Sequence, residues 1–408
     1  MKILLMTDSF LPHAGGSRVY YHNLYKRMTQ RFFDRVTILT KKVPGWQEFD
    51  REESSGALQI VRKYLPLPNH RLRQIPKGLL SFLEALRLLF QERPDAIHCG
   101  DLFPPALAGL LLKRLFGVPY LVYCHGEEIT QIDRRHYQPL VRDHIYRNAD
   151  GVVAASSFAQ QNLIRIGVSP DRIRQITPGV ECDRFQPRPR NADLVRRYGL
   201  EGKRVLLTVG RLVRRKGHDV VLQALSALAP EFPDLRYVIV GEGPEREGLE
   251  RQCKDLGIPD KVLFVGGISN EELPDFYNLG DIFVMTNRES RGDIEGFGMV
   301  FLEASASGKP VIGGLSGGAG QAIQHGVTGL LVDPENPGEV ASNLKRLLLD
   351  PSLMQRMGDA GLRRVREEFD WESRCQALRD FSLEILERAK GRRRTQSRVA
   401  PYETGSVT

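Results

Sequence analysis

The sequence predicts an α/β protein of two doubly wound domains, each built on a parallel sheet. The chain has 408 residues, more than the ~250–300 at which a single hydrophobic core usually stops growing. Short β-branched or aliphatic segments bounded by Gly, Pro and Asp alternate with longer amphipathic segments, as in repeated β/α units. The alternation restarts in the second half, after a polar, proline-containing stretch at residues 184–191, which is typical of an interdomain linker.

The strand pattern divides the chain into two halves. Strands of the first half are predicted at residues 2–7, 36–40, 96–99, 120–124 and 151–155. Strands of the second half are predicted at residues 204–209, 237–240, 262–265, 282–285 and 310–312. We therefore expect one domain over residues 1–186 and a second over 187–370, followed by a long helix at 371–390 and a disordered, basic and polar tail at 391–408.

Composition excludes several protein classes. Hydrophobic residues make up 41% of the chain and charged residues 26%, which excludes collagen, coiled coil and general disorder. The longest apolar stretches, at residues 79–90 and 106–116, are interrupted by charges and are too short to span a bilayer. Five scattered cysteines without a C-x-x-C pair predict no metal site and no redox site, and they fit a reducing, cytoplasmic setting.

The net charge of +8 favours an anionic partner. Nucleic acid is not expected, because the basic residues are dispersed and no aromatic-rich strand accompanies them. Phosphorylated small molecules and an acidic lipid surface remain as candidate partners. The apolar run at the N-terminus ends at Asp8 without the longer core of a signal peptide, so it predicts a buried first strand.

Paired glycines follow the first predicted strand. Gly15 and Gly16 precede a helical pattern that begins near Arg18. Glycines at a helix start let backbone N–H groups approach a phosphate, whose negative charge the helix dipole favours. A tight strand-to-helix turn explains the same pair equally well, so both interpretations stay open.

Cations follow the first strand of the second half. Arg211 and Lys216 come directly after residues 204–209, where the carboxyl end of a strand would bring both to the sheet edge. Such a pair can hold a diphosphate and stabilise its charge as it leaves. Because Arg214 and Arg215 make the whole segment basic, a solvated basic surface is the alternative.

Two glutamates flank a glycine-rich helix start in the second half. Glu295 and Glu303 are eight residues apart, about two helical turns, and Gly296 and Gly298 lie where the helix would begin. One carboxylate can then face a ligand hydroxyl at the helix mouth while the other lies along the helix beside a nucleotide. Backbone N–H groups near Phe297 and Met299 can bind oxygens of the same ligand.

Two further features follow predicted strands. His125 comes just after residues 120–124, where it can contact a substrate or serve a structural role. Glycines crowd residues 313–320, which lets the backbone come close to a ligand or act as a hinge.

Together these residues resemble the family 4 retaining glycosyltransferases, which have the two-domain GT-B architecture. The resemblance covers residues 1–386, and its most specific element is the E-x7-E motif from Glu295 to Glu303. It is closest in motif to mannosyltransferases of the phosphatidylinositol-mannoside type. The supporting motifs, in chain order, are Gly15-Gly16, His125, Pro178-Gly179-Val180, Arg211 with Lys216, Gly241-Glu242-Gly243 and residues 325–330.

The resemblance implies two Rossmann-like domains that face a central cleft, with the C-terminal helix packing back toward the first. The first domain would bind the acceptor and the second a nucleotide-diphosphosugar donor. Arg211 and Lys216 would grip the diphosphate, assisted by the backbone at Gly15 and Gly16. Glu303 would bond the ribose.

The sugar would be held from both domains. The resemblance implies that His125 contacts the sugar near the reacting carbon. Its hydroxyls would be bound by Glu295 and by the backbone at Phe297, Gly298 and Met299.

The implied reaction is transfer of a hexose with retention of configuration, without metal or other cofactor, by a front-face route. Mannose from GDP-mannose is the expected donor group, and a lipid or glycan the acceptor. A UDP-sugar-dependent glucosyl- or N-acetylhexosaminyltransferase of the same family is one alternative. A sugar-nucleotide 2-epimerase, which needs no acceptor, is another.

Basic and apolar residues alternate in the first domain, and this pattern is typical of a surface that lies on an anionic membrane. Peripheral attachment to the inner face of the cytoplasmic membrane is therefore one expectation, and a solvated surface beside a core helix is the other. The basic residues concerned are Lys26, Arg27, Arg31, Arg35, Arg62, Lys63, Arg71, Arg73 and Lys77.

Overall fold

The computed structural model of the protein describes residues 1–12, 15–63, 74–130 and 138–398. Within them the chain forms two lobes, each with a parallel sheet between layers of helices. The first lobe contains a seven-stranded sheet and the second a six-stranded sheet. This is the predicted fold class of two Rossmann-like units.

The first sheet has the strand order β3-β2-β1-β4-β5-β6-β7, and its paired strands are parallel. Its inner strands consist of buried aliphatic and aromatic side chains, as expected for a sheet covered on both faces. The strands are β1 (Lys2–Met6), β2 (Arg35–Lys41), β3 (Leu58–Lys63), β4 (Ala96–Cys99), β5 (Tyr120–Cys124), β6 (Gly151–Ala154) and β7 (Ile173–Gln175).

Helices connect these strands. An irregular turn at Leu102–Ala106, in which Phe103 has an extended backbone, leads into the helix that follows β4. The first-lobe helices are α1 (Gly16–Arg31), α2 (Trp46–Glu53), α3 (Gln74–Glu92), α4 (Leu107–Phe116), α5 (Glu127–Thr130), α6 (Gln138–Asn148) and α7 (Ser157–Arg165).

The second sheet repeats the plan with the order β10-β9-β8-β11-β12-β13. Its strands are β8 (Arg204–Val209), β9 (Leu235–Val240), β10 (Val262–Gly266), β11 (Ile282–Met285), β12 (Val311–Gly314) and β13 (Gly329–Val332). The helices of this lobe are α8 (Ala192–Tyr198), α9 (His218–Leu228), α10 (Arg246–Asp255), α11 (Leu273–Leu279), α12 (Met299–Ala306), α13 (Ala319–Ala322), α14 (Pro337–Leu349) and α15 (Pro351–Glu368).

The strand order reverses beside β1 in the first lobe and beside β8 in the second. In open α/β sheets the crevice at such a reversal, at the carboxyl ends of the strands, is where ligands bind. The loops after β1, β8 and β11 therefore define the place to look for a site.

The last helix, α16 (Trp371–Arg398), crosses back to the first lobe. Cys375, Leu378, Phe381 and Ile385 are buried in the first-lobe core, which confirms the predicted return of this helix. The sequence predicts that the helix ends at residue 390 and that disorder begins at 391. This prediction is wrong for residues 391–398, which belong to α16. Arg392 reaches the buried carboxylate of Asp150 and ties this end of the helix to the first lobe. The remainder of the predicted tail, 399–408, lies outside the described residues.

The chain passes between the lobes in the segment 176–191, and the boundary expected after residue 186 falls inside it. Part of this segment already packs with the second lobe, since Val180 and Phe185 belong to a core cluster there. Val180 also donates its backbone N–H to the carbonyl of Phe369, 2.9 Å away. In the described part of the chain, no helix combines the length and the apolar character that crossing a bilayer requires.

Candidate active site

A compact ion cluster occupies the carboxyl edge of the second sheet. The Glu295 carboxylate accepts hydrogen bonds from Lys216 Nζ, 2.7 Å away, and from the Arg215 guanidinium. Arg215 Nε also lies 3.1 Å from Asp293 Oδ1. A short 3₁₀ turn, Arg214–Lys216, directs the two cations toward the loop that follows β11.

The electrostatics of this cluster fix its charges. Burial opposes ionisation of Glu295, but the charges of Lys216 and Arg215 outweigh it and lower the pKa of the carboxyl to about 2. Burial lowers the pKa of the Lys216 ammonium, and Glu295 opposes that shift. Glu295 is therefore ionised at neutral pH and held by two cations.

Arg211 lies apart from this cluster, exposed at the cleft. Arg18 lies on the first turn of α1 in the other lobe. Burial lowers the pKa of Arg18, and the charge of Asp101 opposes that shift. The positive charge of Arg211 lowers the pKa of Arg18 further. The guanidinium of Arg211 thus acts on that of Arg18 in the opposite lobe. An anion that binds between them would relieve their repulsion.

Glu303 lies about one turn into α12, where it accepts a hydrogen bond from the Tyr277 hydroxyl at 2.5 Å. Burial raises the pKa of Glu303. Lys216 is close enough to act on this carboxyl electrostatically, so both acids of the E-x7-E motif lie within reach of the same cation. Sequence analysis gave no sign of Tyr277.

The two lobes touch at the backbone of Gly296. A Cβ atom placed on Gly296 would lie 2.4 Å from the carbonyl oxygen of His125, so only glycine permits this approach. Thr130 Oγ1 donates to the Gly292 carbonyl at 2.7 Å and adds a second link between the lobes. The loop that carries Glu295 therefore closes directly against the end of β5.

The glycine run after β12 supports the same loop from behind. Gly318 donates its backbone N–H to the Glu295 carbonyl at 2.9 Å, and a Cβ there would lie 2.1 Å from the Gly296 carbonyl. Close packing of the backbone against the Glu295 loop therefore explains why glycine occupies position 318.

His125 is oriented by Tyr21, whose hydroxyl lies 2.6 Å from His125 Nε2. The Tyr21 hydroxyl donates its hydrogen to the Gly100 carbonyl, so Nε2 must carry a hydrogen and donate to the tyrosine oxygen. Burial lowers the pKa of His125, with smaller opposing effects from Glu127 and Asp101. A neutral imidazole with an unprotonated Nδ1 results.

A pair of glutamates follows His125. Glu128 accepts the backbone N–H groups of His125 and Gly126, each at 2.9 Å. Burial raises the pKa of both Glu127 and Glu128 to about 7. This pair therefore titrates near neutral pH, and sequence analysis had not singled it out.

The other predicted donor contacts lie around the same cleft. Gly15 and Gly16 are at the start of α1, and a Cβ on Gly16 would lie 3.9 Å from the sulfur of Met299 in the other lobe. Gly298 precedes the first residue of α12, and the first-turn N–H groups of a helix have no intrahelical acceptors. The side chain of Phe297 is buried in the second-lobe core, so only its backbone is available to a ligand.

A solvated basic surface, the alternative left open for this segment, does not describe Arg215. Arg215 pairs with Glu295 and Asp293, whereas its neighbour Arg214 is exposed. Chain spacing alone did not separate these adjacent cations. Among the described residues, no group of three or more His, Cys, Asp or Glu side chains is arranged to hold a metal ion.

Comparison with solved structures identifies the class of the fold. Sucrose-phosphate synthase from Thermosynechococcus elongatus superposes with a TM-score of 0.80 at 26% identity, covering 95% of this chain and 99% of that one. Anabaena HepE, in complex with UDP and glucose, superposes with a TM-score of 0.79 at 20% identity, covering 94% and 100%. The two lobes and the cleft between them define a GT-B glycosyltransferase.

Sequence comparison identifies the family. Residues 14–184 match the model described as Glycosyltransferase Family 4, and residues 192–364 match the one described as Glycosyl transferases group 1. A GDP-mannose-dependent alpha-(1-6)-phosphatidylinositol monomannoside mannosyltransferase of Mycobacterium tuberculosis is 32% identical over 387 residues, 93% of this chain and 97% of the relative. The chain belongs to glycosyltransferase family 4 and is a hexosyltransferase.

Proposed function

We propose that the protein is a retaining mannosyltransferase, which transfers mannose from GDP-mannose to a lipid-linked or glycan acceptor without a metal. The observation that carries this proposal is the buried ion cluster of Glu295, Arg215 and Lys216, which faces the cleft beside the N-terminus of α12. It supplies cations for a diphosphate and a carboxylate for sugar hydroxyls in one place.

GDP-mannose is proposed as the donor because the name of the mycobacterial relative describes that protein as GDP-mannose-dependent. That relative matches nearly the whole chain, so both lobes contribute to the likeness. Glu303 would bond the ribose, and Tyr277 would hold its carboxyl in place.

The diphosphate would bind between the lobes. Arg211 and Lys216 would contact it from the second lobe, and the backbone at Gly15 and Gly16 from the first. The repulsion between Arg211 and Arg18 supports an anion at this point of the cleft. Stabilising the leaving diphosphate is then the main electrostatic contribution to catalysis.

The sugar would lie where the lobes touch. Glu295 would bind its hydroxyls, together with backbone N–H groups at Phe297, Gly298 and Met299. His125, held by Tyr21, would approach the reacting carbon from the first lobe.

A front-face route fits the state of Glu295. A carboxylate with a pKa of about 2, neutralised by two cations, is a weak nucleophile and a weak base. The acceptor oxygen would instead bond the anomeric carbon on the face from which the diphosphate leaves. The proton of the acceptor hydroxyl would pass to the departing phosphate oxygen, so charge and atoms balance without a covalent enzyme intermediate.

The proposed donor is tested first by binding. We expect GDP to raise the melting temperature more than UDP or ADP, because a ligand that binds the folded state stabilises it. Incubation with GDP-mannose and acceptor should then give an α-linked product, measured by NMR. Stabilisation by UDP alone would mean that the donor is a UDP-sugar. Conversion of the donor sugar without an acceptor would identify an epimerase.

A lipid-linked acceptor would bring the enzyme to an anionic membrane surface from the cytoplasmic side. The five cysteines are unpaired, in keeping with a reducing compartment. The outer helices α3 and α4 expose large apolar side chains, with Phe90 62% and Leu115 64% exposed. Such residues are suited to contact with a bilayer.

The basic residues first expected to serve this surface are mostly engaged elsewhere. Described members form ion pairs within the protein, so they are not a free basic patch. The pairs are Lys26–Glu53, Arg27–Glu181, Arg31–Glu372, Arg35–Glu92, Arg62–Asp50 and Lys63–Asp8. Arg71 and Arg73 lie outside the described residues, as does the side chain of Lys77. Co-sedimentation with anionic vesicles at low salt tests the membrane proposal, and no binding would refute it.

A further inference from the structure

The short turn that carries Arg215 and Lys216 is fixed to the end of β11. Thr286, the first residue after that strand, donates its hydroxyl hydrogen to the Gly217 carbonyl at 2.8 Å. Two residues further on, Arg288 donates its backbone N–H to the Arg215 carbonyl, also at 2.8 Å. The two hydrogen bonds hold the turn on both sides of Lys216.

Gly217 brings the turn and the strand end into direct backbone contact. Its φ of +72° lies in the left-handed region, and a Cβ atom there would lie 2.0 Å from the carbonyl oxygen of Thr286. Because no side chain separates the two backbones, a shift of residues 286–288 would move Arg215 and Lys216 with it.

The Arg288 side chain adds a third link to this turn. Its Nη2 donates to both carboxylate oxygens of Asp219, at 2.9 and 2.7 Å. Asp219 lies in the first turn of α9, two residues after Gly217. A second carboxylate, that of the exposed Glu335, lies 3.4 Å from Arg288 Nε. Arg288 thus contacts the chain before Lys216 through its backbone and the chain after Lys216 through its side chain.

Arg288 is too deeply buried to bind a ligand itself. Its side chain is 4% exposed and pairs with α9, so it can act on a ligand only through its neighbours. The three consecutive cations at 214–216 repel one another, and Lys216 is buried as well. A turn of this composition needs a tether to keep two of its cations beside Glu295. A buried ion pair adds little net stability, but its directed hydrogen bonds can fix a geometry.

We propose that Arg288 is a positioning residue for sugar transfer, which places Lys216 and Arg215 where the diphosphate binds. Through Asp219 and the Arg215 carbonyl it fixes the turn, and through the turn it sets the distance from the two cations to Glu295. The inference rests on the proposed function, in which Lys216 contacts the diphosphate.

Calorimetric titration of the full chain with GDP tests this role. Arg288→Met removes the side-chain link, and we expect it to weaken the affinity for GDP about fivefold or more, since small displacements of a positioned group are costly. Asp219→Asn keeps the size of its side chain but loses the charge, and it should weaken the affinity by a smaller factor. Thermal unfolding of each variant shows whether it is folded.

A second Arg–Asp pair of the same lobe provides the matched control. Arg204 begins β8 and donates to the two carboxylate oxygens of Asp234 at 2.7 and 2.6 Å, at the opposite end of the strand from the turn. Arg204→Met should lower the melting temperature without changing the affinity for GDP. If Arg288→Met and Arg204→Met changed the affinity for GDP alike, the role of Arg288 would be structural and the proposal overturned.

A double-mutant cycle shows whether Arg288 acts through Lys216. Arg288→Met should weaken GDP binding by a smaller factor in Lys216→Ala than in the wild type, because one of the cations that it positions is absent. An equal factor in both backgrounds, or wild-type affinity in Arg288→Met while Lys216→Ala binds weakly, would overturn this inference alone. Unchanged affinity in Lys216→Ala would overturn the proposed function and with it the role of Arg288.

Discussion

The two sheet edges that face each other across the cleft have opposite electrostatic character. On the second lobe, Glu295 is fixed as an anion by Lys216 and Arg215. On the first lobe, His125 is neutral and the Glu127/Glu128 pair titrates near pH 7. One edge thus presents permanent charges suited to a charged donor. The other presents polar groups whose charge depends on pH, suited to a hydroxyl-bearing acceptor.

Removing the charge of Glu295 should have the largest effect on transfer. Glu295→Gln keeps the size of the side chain but leaves Lys216 without its anion and Arg215 with Asp293 alone, so we expect the rate to fall by about 10²–10³-fold or more. The measurement is the rate of sugar transfer, with folding followed by circular dichroism. Arg214→Ala, which removes an exposed neighbouring charge, is the control. Wild-type rates in Glu295→Gln would refute the role of this edge.

Separating the two edges should have the next largest effect. In Gly296→Ala the new methyl group would meet the His125 carbonyl at 2.4 Å, so the loop must move away from β5. We expect transfer to drop about tenfold or more, since small displacements of a reacting centre are costly. Gly248→Ala, on a helix with nothing within 4 Å, is the matched control. If both variants transfer sugar at the same rate, the close approach of Gly296 to His125 has no role in catalysis.

Loosening His125 should have a smaller effect. Tyr21→Phe removes the hydroxyl that accepts the Nε2 hydrogen and leaves that buried donor without its partner. A lost hydrogen bond of this kind corresponds to about 1 kcal/mol or more, so we expect roughly a fivefold to tenfold lower kcat at nearly unchanged donor affinity. Steady-state kinetics measure both quantities. A change confined to donor affinity would contradict the placement of His125 beside the reacting carbon.

The titrating pair predicts a pH effect on stability, which should be the smallest change. Its pKa of about 7 lies above the usual 4.5, so the folded protein keeps protons that the unfolded chain releases. The pair's stabilising contribution is therefore complete below about pH 4.5 and lost as the pH rises to about 7.

Glu128→Gln, which cannot ionise at this position, should remove part of this dependence. We expect the variant to gain roughly a few degrees in melting temperature relative to the wild type as the pH rises from 5 to 8. Thermal unfolding of both proteins across this range gives the comparison. A constant difference at all pH values would show that the carboxyl titrates normally.

Strands that are short or polar at their ends escaped prediction. The buried aliphatic strands were predicted within one or two residues, because their composition leaves few alternatives. β3 ends in basic residues, β7 has three residues, and β13 follows a glycine-containing turn, so their local signal is weak. Arg392, within the extension of α16, pairs with Asp150, which is 242 residues away in the chain, and such a contact has no local signature in the sequence.

Only part of the candidate site could be predicted from the sequence. The spacing of Glu295 and Glu303 and the position of Lys216 after a strand were enough to single them out. Arg215 was missed because adjacent cations look alike in sequence, and only the 3₁₀ turn decides which one turns inward. The titrating glutamates after β5 were missed because burial, which raises their pKa, depends on the opposite lobe and on the fold around them.

The most direct test of the central claim is the affinity of the protein for GDP and GDP-mannose in wild type and in Lys216→Ala, measured by calorimetry. If the ion cluster on the second sheet holds the diphosphate, the variant should bind both compounds at least tenfold more weakly, about 1.4 kcal/mol, while Arg214→Ala binds as the wild type does. Equal affinities in wild type and Lys216→Ala would contradict the account.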